Sequence, residues 1–138
     1  MEWDDVAAHL TTAGLAHVAT ANADGHPHAA VVSAVVDGRG LSFFTMRTSG
    51  KAKNLAENPH VALMWQPQAE IYLYGNVELI DDVAEKTRLW ESGLLPYDPV
   101  GFFGSPDNAD LLLVRVHPSR AIVVSASPDG PRRDTWRR

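Results

Sequence analysis

The chain has 138 residues, no cysteine, 45% hydrophobic and 21% charged residues, and a formal net charge of −5. This length fits one domain over residues 1–138, and the composition is too apolar for a disordered chain. The lack of cysteine excludes disulfides, thiolate metal sites and cysteine nucleophiles. Net acidity argues against a nucleic-acid-binding surface, and no apolar run is long enough to cross a membrane. Because the N-terminal residues are acidic where a signal peptide would be basic, we expect a cytoplasmic protein.

The first third of the chain predicts one helix and three strands. The helix runs from Asp4 or Asp5 through Ala13 and stops at Gly14, a residue type that commonly ends helices. The strands are Leu15–Ala21, His28–Val36 and Leu41–Met46, separated by turn-forming residues at 22–25 and 37–40. Tight turns between consecutive strands predict an antiparallel meander.

The rest of the chain predicts further strands with short helices between them. Ser49 is placed to cap a helix over Gly50–Glu57, and Asp82 with Glu85 resembles a capping box before a helix over Val83–Trp90. The remaining predicted elements are strands Val61–Trp65, Ile71–Leu79, Leu111–Val116 and Ala121–Ser125, with a Pro- and Gly-rich loop over Ser92–Asn108.

The pattern of elements predicts a mainly β fold, specifically a six-stranded antiparallel barrel. The chain does not alternate strands with long helices, as parallel α/β folds do, and closure into a barrel removes exposed strand edges. The second strand is apolar on both faces, whereas a barrel strand of a monomer should alternate. We therefore expect a homodimer that forms through the barrel wall.

The last residues, 127–138, are rich in arginine. Arg132, Arg133, Arg137 and Arg138 are opposed in the last seven residues only by Asp134. Two interpretations remain open for this segment: a solvated basic tail that keeps the protein soluble, or a segment that binds an anion.

Residues 44–55 carry the clearest chemical signal, because Arg47, Ser49 and Lys51 stand where a strand passes into a helix. The first N–H groups of a helix lack internal partners and favour a phosphate, to which Arg and Lys add charge. The segment is not a Walker A loop, since Thr45 and Ala52 occupy positions that the motif reserves for other residues. The alternative is an ordinary capped helix with solvated basic side chains.

Other sequence features give little support for catalysis by side chains alone. His26 and His28 could face one metal from a strand, but further ligands are not evident, and we expect no metal site. No serine stands in a nucleophile motif, and the sequence offers no clear general acid or base. Any chemistry is therefore expected to come from a cofactor.

The order of several short motifs resembles the pyridoxamine 5′-phosphate oxidase-like split β-barrel flavoproteins. The resemblance runs from about Leu15 to Leu79. It rests on the second strand, Leu41–Thr45, Ser49–Ala52 with Asn54–Leu55, Asn58–Pro59 with Val61–Leu63, and Tyr74–Glu78. Later segments, Leu89–Trp90, Gly101–Gly104 and Leu112–Val116, are similar to the general stress protein branch of that superfamily.

The resemblance implies a homodimer of split barrels with two flavin sites at the subunit interface. The residues placed beside the isoalloxazine and ribityl chain are His28, Ala30, Val31, Val32 and Ser33. Phe44 and Thr45 would line the same site, and the phosphate corner would comprise Arg47, Ser49, Gly50 and Lys51. Glu70 and Tyr72 would approach from the partner subunit.

Departures from the oxidases direct the functional prediction. His28 and Ser33 replace an Arg and a Lys of the oxidases, Gly50–Lys51 replaces an Arg–Lys pair, and the C-terminal motif that grips pyridoxal phosphate is not visible. We therefore expect an FMN-dependent oxidoreductase that moves a hydride to or from a small organic substrate other than vitamin B6. The alternatives are an F420-dependent reductase on the same fold and a non-enzymatic flavin- or haem-binding stress protein.

Overall fold

A computed structural model describes residues 1–66 and 68–138, which form eight strands and four short helices. The helices are α1 (Trp3–Thr11), α2 (Gly50–Glu57), α3 (Val83–Trp90) and α4 (Val100–Phe103). The strands are β1 (Ala16–Ala21), β2 (Pro27–Val32), β3 (Val35–Asp37), β4 (Gly40–Met46), β5 (His60–Trp65), β6 (Glu70–Ile80), β7 (Leu111–Ser127) and β8 (Gly130–Arg137). The mainly β class predicted from the sequence is confirmed.

Side-chain caps begin α2 and α3, the two helices whose bounds the sequence predicts correctly. The Ser49 hydroxyl accepts a hydrogen bond from the Ala52 amide at 3.2 Å, and the Asp82 carboxylate accepts one from the Glu85 amide at 3.0 Å. Each cap satisfies an amide that the first helical turn leaves without a partner. Within the described residues, the helices lack the length and hydropathy needed to span a bilayer.

All eight strands belong to one antiparallel sheet in the order β2-β1-β5-β6-β7-β4-β3, and β8 pairs with β7. The two ends of this order, β2 and β3, are consecutive in the chain and are joined only by Ser33 and Ala34. The sheet therefore curls until its ends meet, which is the geometry of a split barrel. Alternating side chains of the strands fill its interior with one apolar core.

The eight observed strands differ from the seven predicted segments, and so from the predicted six-stranded barrel, at three places that the hydrophobic pattern does not reveal. The predicted strand over 28–36 breaks at Ser33, and its two parts pair at opposite ends of the sheet, so the predicted meander is wrong. The two strands predicted on either side of Pro118 form the single strand β7. The Arg-rich end forms β8, which pairs with residues 120–127 and buries Trp136.

Pro118 and Gly75 mark a bulge where β7 changes partner. Residues 111–116 of β7 pair with β4 and residues 120–127 pair with β8, so Pro118 stands where no amide is required on that edge. The β6–β7 register shifts between Tyr74 and Gly75 at the same point. A Cβ on Gly75 would overlap the carbonyl oxygen of His117 and would lie 3.0 Å from the Pro118 Cα. Only glycine fits this close approach of two backbones.

Replacing Gly75 with alanine is therefore expected to lower the free energy of unfolding by about 1–3 kcal/mol, the usual cost of overpacking. Urea denaturation followed by tryptophan fluorescence measures the change. Gly101→Ala is the matched control, because a Cβ at Gly101 meets no atom within 4 Å. Equal stability of Gly75→Ala and the unmodified protein would contradict the role of the bulge.

Candidate functional site

The main cavity of the protein has a volume of about 470 Å³ and opens where the two ends of the sheet approach each other. The ends of β2 and β4, the first turn of α2 and the segment between α3 and β7 form its walls. Its lining residues are Leu15, Val31, Val32, Ser33, Phe44, Thr45, Met46, Ser49, Lys51, Pro96, Tyr97, Phe102 and Phe103. Seven of the thirteen site residues predicted from the sequence therefore lie around one cavity.

Polar groups gather at the α2 end of the main cavity. The hydroxyls of Thr45 and Ser49 are 3.0 Å apart, and Lys51 lines the cavity from the first turn of the helix. Lys51 has no ion-pair partner in the described part of the chain, and burial lowers the pKa of its ammonium group. The amides of Gly50 and Lys51 are also free of helical partners, as in the first turn of any helix. This corner is suited to an anion, which would compensate the partly buried charge.

Arg47 forms an ion pair with Asp81 in this structure. Its guanidinium lies 3.0 Å from the Asp81 carboxylate and donates to the Ala109 carbonyl at 3.1 Å, and it does not line the main cavity. Partial desolvation opposes ionisation of Asp81, but Arg47 and Lys86 together hold the pKa of this carboxyl below its usual value. A bound phosphate would therefore have to compete with Asp81 for Arg47.

Lys86 is a buried cation that the sequence analysis did not identify. Its side chain is 1% exposed and donates to the carbonyls of Leu111 at 2.9 Å and Asn108 at 3.2 Å. These bonds attach the segment before β7 to α3, and Asn108 in turn donates to the Phe103 carbonyl at 3.0 Å. Lys86 thus helps to hold one wall of the main cavity in place.

His28 lies beside the start of α2. A Cβ on Gly50 would stand 3.3 Å from the His28 ring, so the absence of a side chain at Gly50 lets the imidazole approach the helix. Ala30 is two residues further along β2 and packs against the barrel core. Gly50 belongs to the phosphate corner, His28 lies beside it and Ala30 faces the core, and none of these three predicted residues lines the main cavity.

Glu70 and Tyr72 lie on the outer face of the sheet, away from the main cavity of the same chain. The Tyr72 hydroxyl donates to the Glu70 carboxylate at 2.7 Å, and this hydrogen bond is the largest of the effects that raise the pKa of Tyr72. Their assignment to a partner's site stays a prediction, since a single chain does not test it.

A chain of aromatic contacts leads from the core to the mouth of the main cavity. Ring centroids lie 5.7 Å apart for Trp90–Phe44, 5.9 Å for Phe44–Phe103, 6.0 Å for Phe103–Phe102 and 5.5 Å for Phe102–Tyr97. Phe102 is 73% exposed, and Leu15 and Val31 on the same cavity are 60% and 57% exposed. Large exposed apolar side chains around a cavity indicate a surface that another molecule covers.

Sequence analysis missed Tyr97, Phe102 and Phe103 as site residues, because they lie in the segment predicted as a loop. The Phe–Phe pair in a Gly-rich loop was the available signal. Tyr97 matters chemically, because its phenol is protonated at neutral pH and can donate a hydrogen bond in the cavity; burial raises its pKa further above the ordinary value. Lys51 and Tyr97 are the titratable groups among the lining residues.

Residues 1–66 and 68–138 contain no group of three or more His, Asp or Glu side chains placed to hold a metal ion.

Comparison with known proteins shows the family of this chain. Residues 3–125 match the family model described as pyridoxamine 5′-phosphate oxidase, and the chain belongs to that family. A pyridoxine/pyridoxamine 5′-phosphate oxidase of Cupriavidus taiwanensis is 37% identical over 86 residues, covering 58% of this chain and 41% of that protein. One of Xanthomonas axonopodis pv. citri is 29% identical over 132 residues, covering 86% and 64%. The chain thus spans well under two thirds of the first of these relatives and slightly under two thirds of the second.

Solved structures share the fold over most of both chains. General Stress Protein 26 from Bacillus anthracis str. Sterne has a TM-score of 0.77 and 16% identity, covering 99% of this chain and 98% of that one. A pyridoxamine 5′-phosphate oxidase-related, FMN-binding protein from Nostoc punctiforme has a TM-score of 0.73 and 18% identity, covering 100% and 92%. A protein described as an F420 reductase has a TM-score of 0.63 and 25% identity, covering 83% and 93%.

Proposed function

We propose that this member of the pyridoxamine 5′-phosphate oxidase family is an FMN-dependent oxidoreductase that works as a homodimer on a small organic substrate. The observation that carries the proposal is the position of Lys51, an uncompensated and partly buried cation beside the start of α2 in a cavity lined mainly by apolar side chains. An apolar cavity with one cationic corner matches a planar ring system that carries a phosphate.

The phosphate corner fits the phosphate of FMN. The ammonium group of Lys51, the hydroxyls of Thr45 and Ser49, and the free amides at the start of α2 supply charge and hydrogen-bond donors together. Arg47 would join them only on leaving Asp81, so Lys51 carries the larger share of the anchoring in this arrangement.

The apolar part of the main cavity fits the ring system. Val31 and Val32 offer one wall and Phe44 another, and Tyr97 holds a phenolic proton at the aromatic end. FMN, when bound, supplies hydride transfer at its ring. The chain's own residues would exclude water from this space, and the Tyr97 hydroxyl would donate a hydrogen bond to an oxygen or nitrogen atom that enters it.

The outer face of the sheet supports a dimer in which each subunit completes the other's site. Two rows of side chains cross β2, β1, β5 and β6 in register, and they are Val31–His17–Met64–Tyr72 and Ala29–Ala19–Ala62–Tyr74. The rows are small or apolar apart from His17 and the two tyrosine hydroxyls. The first row ends at the cavity residue Val31 on one side and at Tyr72 on the other. Three strand spacings, about 14 Å, separate these ends.

A two-fold axis parallel to the strands and centred between β1 and β5 would lay β6 of one subunit over β2 of the other. The partner's Tyr72 and the partner's Glu70 would then stand at Val31, beside the mouth of the main cavity. This arrangement also covers Val31, which is 57% exposed in the single chain. The dimer proposal therefore explains the exposed apolar strand and the distance of Glu70 and Tyr72 from the cavity together.

The proposal is tested by identifying the cofactor that the purified protein retains. We expect an absorbance peak with a shoulder in the blue, and a mass of FMN after extraction. A sharper band in the violet would instead favour F420, which the 25% identity to the F420 reductase makes the second candidate. Failure of both FMN and F420 to bind on reconstitution would contradict the proposal. Retention of FMN without reduction by NAD(P)H or reduced F420 across a substrate panel would identify a binding protein rather than an enzyme.

A further inference from the structure

A second cavity, of about 320 Å³, lies at the other end of β4 from the main cavity. Gly40 at the start of β4 lines the second cavity, and Met46 at the end of β4 lines the main one. The two positions are six steps apart along an extended strand, about 20 Å. The remaining lining residues are Asp37, Arg39, Arg115, Val116, His117, Pro118, Trp136 and Arg138. The two cavities share no residue.

The second cavity gathers positive charge in a protein whose net charge is −5. Arg39, Arg115 and Arg138 line it, and Asp37 is the acidic residue that lines it. The charge of Asp37 is neutralised from behind, because Arg88 binds both carboxylate oxygens at 3.3 and 2.8 Å. Arg115 is paired in the same way with Glu85, so the uncompensated charge at the second cavity, among the described residues, is that of Arg39 and Arg138.

Two of the basic groups are held in place, and two are available to a ligand. The Arg115 guanidinium is bound to Glu85 at 2.8 Å and the His117 ring to Glu78 at 2.5 Å. Arg39 and Arg138 have no ion-pair partner in the part of the chain that the structure describes. The amide of Arg138 donates to the Ser119 carbonyl at 3.0 Å, which fixes the backbone that carries this side chain.

The floor of the second cavity is apolar. Pro118 and Trp136 line it and are buried, with Trp136 only 7% exposed. A cavity lined both by buried apolar side chains and by two unpaired arginines suits an organic anion better than an inorganic one, because the ring or alkyl body has a surface to cover. Guanidinium groups also make two-point contacts with the oxygen atoms of planar carboxylates and tetrahedral phosphates.

From this arrangement we infer that the second cavity binds a small organic oxyanion. Arg39 and Arg138 bind its anionic group, and Trp136 contacts its ring or alkyl part. The inference is independent of the proposed flavin function, since it uses no residue of the main cavity. Carboxylates and phosphate monoesters share this chemistry, and the experiment below separates them.

Titration of the full chain with phenyl phosphate, benzoate and uncharged benzyl alcohol tests the inference, with backbone amide shifts of residues 37–40, 115–117 and 136–138 as the readout. We expect saturable shifts in the millimolar range or below for one or both anions and none for benzyl alcohol. The anion that binds more tightly identifies the source chemistry. Similar shifts with inorganic phosphate alone would indicate an adventitious ion site and overturn the inference.

Variants locate the binding. Arg39→Gln and Arg138→Gln are each expected to weaken binding about ten-fold, since each removes one charge-assisted contact. Arg137→Gln is the matched control, because Arg137 is adjacent, carries the same charge and does not line the second cavity. Equal weakening by Arg137→Gln would show non-specific attraction and contradict the inference. Lys51→Ala should leave this binding unchanged, which separates it from the phosphate corner of the main cavity.

Discussion

Replacing Lys51 with alanine is expected to raise the dissociation constant for FMN ten-fold or more. A charge-assisted contact to phosphate contributes about 1.5–3 kcal/mol, and in the described residues Lys51 is the cation that lines the main cavity. Titration of the apoprotein with FMN, followed by quenching of flavin fluorescence, measures the constant. The affinity for riboflavin, which has no phosphate, should change little.

Two further variants sharpen this test. Lys53→Ala removes the same charge from the exposed side of α2 and should leave FMN affinity within two-fold, because surface charges are worth little. Arg47→Ala should have a smaller effect than Lys51→Ala if Arg47 stays with Asp81, and an equal effect if phosphate displaces that carboxylate. An equal loss of riboflavin and FMN affinity in Lys51→Ala would contradict the assignment of the phosphate corner.

Ala62→Arg is expected to separate the dimer. Ala62 lies near the centre of the outer face, between Ala19 and Tyr74 in register, where a two-fold axis would bring two copies together. Burying an unpaired guanidinium there should weaken association at least a hundred-fold, since an uncompensated buried charge costs about 3 kcal/mol or more. Sedimentation equilibrium measures the association, and FMN retention should fall with it because the partner's residues leave the site.

Ala56→Arg provides the matched control for this substitution. Ala56 is exposed on α2 and does not line the main cavity, so the same change of side chain should alter neither association nor FMN retention. A dimeric Ala62→Arg protein that retains FMN would show that this face is not the interface. A monomeric unmodified protein that retains FMN would show that one chain holds the cofactor without a partner.

The sequence predicts most of the fold because the local signals and the final packing agree. Caps at Ser49 and Asp82 mark helix starts, and valine-rich runs bounded by Gly-containing turns mark strands. The break at Ser33 was not predictable, because the residues on both sides are equally apolar and only barrel closure requires the chain to change neighbours. β8 was missed for the opposite reason: its many charged residues conceal the one buried side chain, Trp136.

The sequence predicts residues of the phosphate corner, but it does not predict that Arg47 forms an ion pair elsewhere. Strand-to-helix spacing identifies Ser49 and Lys51, whose positions depend on local geometry alone. The partner of Arg47 depends on Asp81, more than thirty residues away in the chain, which no local pattern connects to it. The aromatic wall was missed for a related reason, since a loop is assigned from its glycines and prolines whatever its aromatic residues contact.

The contact between Trp3 and Trp136, with ring centroids 5.1 Å apart, joins the beginning of the described chain to its end. Because Trp136 lies on β8, the docking of α1 is complete only after β8 has paired with β7. Loops that close over such a separation are slow to form. Until then the apolar stripe of α1, with Trp3, Val6 and Leu10, is only partly covered, and exposed apolar surface of this kind favours aggregation and chaperone binding.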